Sequence, residues 1–180
     1  MKKLIEKTIS SKRVFEGRFL SVRVDTVDLS NGRRATRDIV EHAGGVVIAA
    51  VTADKKIVLV RQFRQALGRV VLELPAGVLK KGEKERTAAL RELEEETGFC
   101  AKKIKRVFSA YASPGYSNEM LHYYVADDLK QMKQQLDEDE LVEVDLLPLN
   151  VCLKMIKAGK IKDNKTILGV WAIERWLKGG

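Results

Sequence analysis

The chain has 180 residues, of which 45% are hydrophobic and 32% charged, a balance typical of one globular domain that can bury a core. Its formal net charge is +8, which favours an anionic partner such as a nucleic acid, a membrane surface or a phosphorylated metabolite. The basic residues are scattered along the chain instead of forming one block, so they indicate a solvated surface rather than a nucleic-acid-binding arm.

Cysteine usage and hydropathy narrow the class of protein further. Cys100 and Cys152 lie far apart with no second Cys or His at metal-ligand spacing, so neither a zinc site nor a disulfide framework is predicted. The longest apolar run, residues 43–51, is much shorter than the about 20 residues needed to span a bilayer. No long apolar segment of the signal-peptide type stands near the N-terminus. We therefore expect a cytoplasmic protein with no membrane partner.

The N-terminal part of the chain carries the pattern of a β-hairpin. Residues 18–29 alternate between apolar and polar side chains, and the Asn-Gly pair at 31–32 supplies a tight-turn signal before a second run at 33–43. We accordingly divide the chain into an N-terminal hairpin extension, residues 1–40, and a main domain, residues 41–180.

The middle of the chain contains strands followed by one long helix. Strands are predicted at residues 44–51, 56–63 and 70–77. The first of these is apolar enough to be covered on both faces. A helical period then runs over residues 83–97, and Gly98 stands where a left-handed C-terminal cap belongs.

The C-terminal part returns to strands and ends in helices. Strands are predicted at residues 104–111, 120–127 and 141–149. A helix capped by Asn150 follows, and a last helix begins near Asp163. The apolar face of this last helix is expected to contain Ile167, Leu168 and Trp171. Together the elements predict an α+β fold.

Four carboxylates crowd the end of the long helix in the stretch RELEEETGF, residues 91–99. Glu92, Glu95 and Glu96 fall in one sector of the helix, and the like-charge pair Glu92 and Glu96 costs about 0.2–0.5 kcal/mol. Each anion at this negative end of the helix dipole costs a further ~0.3–1 kcal/mol. No base follows three or four residues later to compensate. A solvated acidic surface is one interpretation, but convergent carboxylates without His or Cys favour a hard cation such as Mg²⁺ or Mn²⁺.

The residues around this cluster form a longer motif. Gly77 is followed by five residues and Glu83, then by seven residues and the run Arg91 to Phe99. This spacing resembles the Nudix box, GX5EX7REUXEEXGU with U an apolar residue, at every defined position. The glycine spacing at 77–82 is also that of a P-loop, but the required Lys-Ser/Thr is absent, so the P-loop interpretation fails.

The resemblance to the Nudix hydrolases implies a fold, an activity and a metal. The implied fold is an α/β/α sandwich, a mixed β-sheet between α-helices, here with the N-terminal hairpin as an extension. Members mostly hydrolyse a nucleoside diphosphate linked to another moiety. Glu92, Glu95, Glu96 and the backbone carbonyl of Ala76 correspond to metal ligands for Mg²⁺, or Mn²⁺, while Arg91 orients the carboxylates.

Segments outside the box resemble the ADP-ribose pyrophosphatase branch of the family. They are LVRQFR before LELPAG, the hairpin sequence LSNGRRATRDIVEHAGGV, and SPGYSNE, in which Pro114 stands sixteen residues after Gly98. The resemblance implies that Arg37 and Arg64 lie near the substrate, where a guanidinium suits phosphate oxygens. Ser113 and Glu119 are further substrate-contact candidates. An ordinary surface role on a strand or turn is the alternative for each of these residues.

The acidic loop, residues 137–140, has a separate implied role. In the enzymes it resembles, a glutamate of this loop is the general base for the attacking water. Glu138 is the first choice here and Glu140 the second, with Glu95 as the substitute if the loop supplies no base. A bare acidic turn is the competing interpretation.

The resulting hypothesis is Mg²⁺-dependent hydrolysis of ADP-ribose to AMP and ribose 5-phosphate. Another nucleoside diphosphate sugar, such as GDP-mannose, is the near alternative. A non-catalytic ADP-ribose-binding Nudix module is disfavoured because all three box glutamates are present. Relatives use the N-terminal segment to reach a second subunit, so a homodimer is expected. No nucleic-acid partner is expected.

Overall fold

A computed structural model describes residues 4–136, 138 and 140–179 of the chain. The chain forms two compact units. The first contains the residues up to Gly44 together with Ala110–Leu121, and the second contains Gly45–Ser109 and the residues from His122 onward. The ends of the expected domains, residues 1–3 and 180, lie outside the described residues, and the boundary between residues 40 and 41 stays a prediction.

The first unit contains a three-stranded antiparallel sheet. Its strands are β1 (Lys7–Glu16), β2 (Leu20–Asp28) and β3 (Arg34–His42), in the order β1-β2-β3. The predicted hairpin is confirmed as β2 and β3, and Gly32 takes a positive φ of 81° in the turn between them. Strand β1 was not predicted. All of its residues are exposed, so its sequence has no reason to alternate between apolar and polar side chains.

The rest of the described chain supplies further strands and three helices. They are β4 (Gly45–Ala50), β5 (Lys56–Arg64), β6 (Arg69–Glu73), β7 (Ala76–Val78), α1 (Glu85–Thr97), β8 (Phe99–Tyr111), β9 (Met120–Gln131), β10 (Val142–Pro148), α2 (Leu149–Lys157) and α3 (Asn164–Leu177). One sheet has the order β7-β4-β9-β8 and another the order β10-β5-β6. None of the helices described here is long and apolar enough to cross a membrane.

Strand β4 is the centre of the core and is buried along its whole length. Ile48 and its same-face neighbours pack in one cluster with Leu93 of α1. Ala49 points the other way, because side chains alternate along a strand, and it faces Gly169 of α3. A Cβ atom at Gly169 would lie 2.2 Å from a methyl carbon of Leu74, so a glycine lets α3 approach the sheet closely. The expectation that this strand is covered on both faces is confirmed.

The structure corrects two expectations about the C-terminal helices and confirms a third. Helix α2 begins at Leu149 after Pro148, so Asn150 lies inside the helix and is not its cap. Of the residues expected on the apolar face of α3, Ile167 and Leu168 are half-buried, but Trp171 is 50% exposed. Asp163 does cap α3, since its carboxylate accepts a hydrogen bond from the Thr166 backbone N–H at 2.9 Å.

Candidate active site

Helix α1 carries the three box glutamates on its last turns. The predicted helix is confirmed, and its C-terminal cap Gly98 has a φ of 69° and donates its N–H to the Glu94 carbonyl at 2.8 Å. The side chain of Glu92 is 13% exposed, that of Glu95 is 31% exposed, and Glu96 is buried. The carboxylates therefore do not form a freely solvated acidic face.

Gly77 of β7 is where the strand and the helix come closest. A Cβ atom built on Gly77 would lie 1.9 Å from the carboxylate carbon of Glu92. Strand β7 is held in place by pairing with β4, in which Val46 lies opposite Gly77. The motif requires glycine here because the Glu92 carboxylate occupies the space that a side chain would fill.

Glu96 is the most deeply buried of the three carboxylates, with 4% of its surface exposed. Its Oε2 atom accepts a hydrogen bond from the backbone N–H of Ala76 at 3.0 Å, so the structure brings these two predicted ligand residues together. Burial raises the pKa of Glu96 to about 8; the Ala76 N–H opposes this rise, and the charges of Glu92 and Glu140 add to it. In the metal-free protein this shift favours the protonated form of Glu96 at neutral pH.

Arg91 binds the other carboxylates of the motif. Its Nη1 atom donates to Glu92 at 2.7 Å and to Glu95 at 2.8 Å, while Nε and Nη2 each donate to Glu83 at 2.9 Å. The hydrogen bond to Glu83 is the largest of the interactions that raise the pKa of Arg91. No base follows the glutamates at helical spacing, as the sequence indicated. Arg91, which precedes them, neutralises Glu92 and Glu95 in part.

The donor set of this cluster fits a hard divalent cation. Its candidates are carboxylate oxygens and a backbone carbonyl, the ligands that Mg²⁺ and Mn²⁺ prefer. Burial also raises the pKa of Glu92, although the Arg91 guanidinium opposes that rise. Within the described ranges, no three His, Cys, Asp or Glu side chains converge closely enough to hold an ion. The Arg91 guanidinium lies between Glu92 and Glu95 and accounts for that spacing.

One of the two base candidates in the acidic loop, Glu140, affects the pKa values of this cluster. Glu140 is half-buried, and its negative charge contributes to raising the pKa of both Glu92 and Glu96. Glu138, the first choice from the sequence, is exposed. Asp137 and Asp139 lie outside the described residues. Glu140 thus acts electrostatically on the carboxylates, while the choice of base stays a prediction.

Arg64, at the end of β5, is held by a buried partner that the sequence did not reveal. Its Nε and Nη2 atoms donate to the two carboxylate oxygens of Glu73 at 3.0 and 2.6 Å. Glu73 is 3% exposed, and its Oε2 atom also lies 3.5 Å from the Nζ atom of Lys165. The hydrogen bond to Glu73 is the main cause that raises the pKa of Arg64, and the charge of Glu96 contributes. The sequence did contain one signal for this role: Glu73 is the charged residue in the otherwise apolar stretch VVLELP.

The other substrate-contact candidates belong to the first unit. Arg37 is exposed and donates its Nε to Glu6 at 3.0 Å. The carbonyl of Ser113 accepts backbone hydrogen bonds at 3.1 and 2.9 Å in the turn that follows it. The carboxylate of Glu119 lies 3.5 Å from Nδ1 of His42. Arg37, Ser113 and Glu119 are thus in one unit, whereas the carboxylate cluster and Arg64 are in the other.

Comparisons with known proteins match nearly the whole chain. Residues 41–167 match the NUDIX domain family, and residues 6–40 match the nucleoside diphosphate sugar hydrolase N-terminal domain. A Bacillus subtilis (strain 168) protein named ADP-ribose pyrophosphatase is 44% identical over 172 residues, which cover 94% of this chain and 93% of that protein. A Bacillus methanolicus protein named methanol dehydrogenase activator is 44% identical over 167 residues, which cover 92% and 90%.

A solved structure supports the same assignment at the level of the fold. The crystal structure of an ADP compounds hydrolase superposes with a TM-score of 0.86 at 23% sequence identity, covering 97% of this chain and 95% of that one. The α+β architecture described above is therefore the Nudix fold. Because the family match, the complete box and the fold agree, the chain belongs to the Nudix hydrolase family.

Proposed function

We propose that this protein hydrolyses the diphosphate bond of ADP-ribose and releases AMP and ribose 5-phosphate. The observation that carries the proposal is the complete set of box glutamates, with Glu96 buried against Ala76 and without an ion pair in the described part of the chain. The choice of ADP-ribose is supported by the 44%-identical ADP-ribose pyrophosphatase, which spans almost the same length.

The metal under this proposal is Mg²⁺, with Mn²⁺ as the alternative. Glu92, Glu95, Glu96 and the backbone carbonyl of Ala76 would hold it. When bound, such an ion neutralises diphosphate charge and lowers the pKa of a coordinated water. The chain's own contribution is to release the proton from Glu96 and to keep Glu92 and Glu95 oriented through Arg91.

A glutamate of the acidic loop would take the proton from the attacking water. The influence of Glu140 on the pKa of Glu92 and Glu96 supports Glu140 over Glu138, which is exposed. A general base must come within hydrogen-bonding reach of the proton that it removes. Glu95 remains the substitute if neither loop residue is required.

The substrate contacts are assigned to guanidinium and polar groups. Arg64 is held in a bidentate pair with Glu73, which fixes the orientation of its fork, while its side chain keeps 38% exposure toward a ligand. A fixed guanidinium suits diphosphate oxygens. We assign Arg37, Ser113 and Glu119 to the remaining contacts of the nucleotide sugar.

A homodimer formed through the N-terminal unit completes the proposal. Strand β1 is exposed along its whole length at the edge of its sheet. Phe15 is 55% exposed and Phe19 58% exposed, so apolar surface is available for a second copy. We also propose a cytoplasmic location, because the described Cys100 and Cys152 are both unpaired, as suits a reducing compartment.

A second candidate function is the activation of an alcohol dehydrogenase. It is favoured by the methanol dehydrogenase activator, which has the same 44% identity as the ADP-ribose pyrophosphatase. The two functions are separable by assay. An activator would raise the rate of a purified methanol dehydrogenase, and a Glu96→Gln variant would show whether that effect needs the hydrolytic site.

A substrate screen tests the main proposal. ADP-ribose, GDP-mannose, ADP-glucose, NADH and diadenosine polyphosphates are each incubated with the protein and Mg²⁺, and released monophosphate is measured. We expect the highest kcat/KM with ADP-ribose. A higher kcat/KM with GDP-mannose would make GDP-mannose the assigned substrate. If no compound released monophosphate, the hydrolase proposal would be overturned.

A further inference from the structure

The segment 132–135, which follows β9, lies across the C-terminal end of α1. The backbone N–H of Met132 donates to the Gly98 carbonyl at 2.6 Å, and that of Gln135 donates to the Glu95 carbonyl at 3.1 Å. The last carbonyls of a helix have no partner within the helix and need donors from elsewhere. The segment supplies such donors to the helix end that carries the metal-ligand candidates.

Gln134 contributes to this contact through its side chain. Its Nε2 atom donates to the Glu96 carbonyl at 2.6 Å and to the Val142 carbonyl at 3.3 Å. A side-chain amide has two N–H donors, so these two bonds use both of them. Glu96 lies at the end of α1 and Val142 begins β10, so one half-buried amide joins the structures on the two sides of the acidic loop.

Gly98 confirms that this packing is close. A Cβ atom at Gly98 would lie 2.9 Å from the backbone nitrogen of Gln134 and 2.9 Å from the Met132 carbonyl oxygen. The glycine is therefore needed for its left-handed φ and also for the approach of the segment. The segment 132–135, which precedes the acidic loop, is therefore held against the helix end.

Repulsion between carboxylates opposes a position of the acidic loop close to α1. Glu140 and Glu92 are both carboxylates, and the charge of Glu140 contributes to raising the pKa of Glu92. Like charges in a partly buried site repel each other, which favours movement of the loop away from the helix. A neutral donor that bonds only to carbonyls can hold the loop there without adding charge to the site.

We propose that Gln134 is a positioning residue that holds the acidic loop, and with it the general base, against the carboxylates of α1. The inference rests on the proposed function, in which a loop glutamate takes the proton from water. Gln134 touches neither substrate nor water in this role. It acts through the position of the loop glutamate, so its loss lowers kcat without weakening metal or substrate binding.

The test compares Gln134→Leu, which removes both amide donors at similar size, with Gln135→Leu. Gln135 is the matched control because it is exposed and contributes its backbone N–H to the contact. For Gln134→Leu we expect kcat for ADP-ribose to fall about 10- to 100-fold, a part of the 10²–10⁴ that a general base supplies. The KM and the half-saturating Mg²⁺ concentration stay near their wild-type values. Equal kcat values for the two variants would overturn the proposal.

A double-mutant cycle separates positioning from general damage. Gln134→Leu is combined with Glu140→Gln or Glu138→Gln, whichever single variant loses more activity. If Gln134 acts through that glutamate, its substitution lowers kcat little further in the combined variant. An unchanged fold-loss in both backgrounds would show that Gln134 does not act through the base. If Gln134→Leu fails to fold, Gln134→Asn, whose shorter side chain withdraws the amide from the two carbonyls, replaces it in the same cycle.

Amide hydrogen exchange keeps the inference testable apart from the activity. Exchange in the peptide covering residues 136–142 is compared between the two leucine variants without substrate. Faster exchange in Gln134→Leu than in Gln135→Leu supports the role of Gln134 even if ADP-ribose is not hydrolysed. Equal exchange overturns it, whereas failure of the proposed function would appear only as inactivity of the wild-type protein.

Discussion

In α1 the carboxylate of Glu96 is 4% exposed and has no ion pair in the described part of the chain, whereas in the N-terminal sheet Arg37 pairs with Glu6 at the surface. An exposed pair is well hydrated and contributes little to stability. A buried carboxylate without a counter-charge is unfavourable unless the site has another occupant or holds a proton. The contrast shows that burial, and not the number of charges, distinguishes the candidate metal site from an ordinary charged surface.

The largest effect is expected from a substitution of the buried carboxylate, Glu96. Glu96→Gln should lower kcat by several orders of magnitude while leaving the melting temperature of the metal-free protein unchanged at neutral pH. Glutamine resembles the protonated form of Glu96 and can still accept the Ala76 N–H bond. Kinetics with ADP-ribose and thermal unfolding measure the two quantities.

The control for this variant is Glu94→Gln, which makes the same charge change on the same helix outside the ligand set. It should retain nearly full activity. A comparable loss of kcat in both variants would mean that activity depends on the total charge of α1 and not on Glu96 in particular.

A smaller effect is expected where the backbone must approach Glu92. Gly77→Ala would place a methyl group 1.9 Å from the Glu92 carboxylate carbon. A shift of about 1 Å in a catalytic group costs on the order of 100-fold in rate. In the first unit, Gly115→Ala is the control, because nothing lies within 4 Å of its Cβ position. Steady-state kinetics on both variants tests this; a fully active Gly77→Ala would contradict the role given to Glu92.

The pKa of Glu96 predicts how the metal-free protein responds to pH. Its value is raised from 4.5 to about 8 by burial, so the folded protein keeps a proton that the unfolded chain has lost. This stabilisation is fully present below pH 4.5 and is lost as pH rises through 8. Melting temperatures measured across that range should fall with pH in the wild type more than in Glu96→Gln.

Metal affinity should change with pH in the opposite direction to the melting temperature of the metal-free protein. Because Mg²⁺ needs the ionised carboxylate, binding at pH 7 releases a proton from Glu96 and strengthens as pH rises toward 8. Calorimetric titrations in buffers of different ionisation enthalpy measure the proton count. Binding without proton release would contradict either the raised pKa of Glu96 or its role as a ligand.

The smallest structural effect is expected at the exposed pair. Arg37→Ala removes the contact with Glu6 and should leave the urea midpoint of unfolding nearly unchanged, because an exposed ion pair contributes little to stability. If Arg37 contacts the nucleotide sugar, KM for ADP-ribose rises at the same time. Unchanged KM together with unchanged stability would remove Arg37 from the substrate site.

Local patterns in the sequence predicted the parts of the site that depend on one element. The spacing of Glu92, Glu95 and Glu96 and the glycine cap at Gly98 follow from helical geometry alone. The pairing of β2 with β3 follows from alternation and one turn signal. These features depend on residues that are close together in the sequence.

The contacts that the sequence did not reveal join residues far apart along the chain or depend on packing. Arg64 meets Glu73, and Gln134 meets both Glu96 and Val142, only after the strands and helix have assembled. Burial likewise separates the two loop candidates, since Glu140 is half-buried and contributes to the raised pKa of Glu96, whereas Glu138 is exposed. Spacing alone does not set such distances, because two loop residues with the same charge are interchangeable in the sequence pattern.

Manganese binding to the metal-free protein tests the central claim most directly. Electron paramagnetic resonance would count bound Mn²⁺ near pH 8 in the wild type and in Glu96→Gln, each with a non-hydrolysable ADP-ribose analogue present. The account predicts stoichiometric binding by the wild type and a large loss of affinity in the variant. No binding by the wild type, or equal affinity in the two proteins, would contradict it.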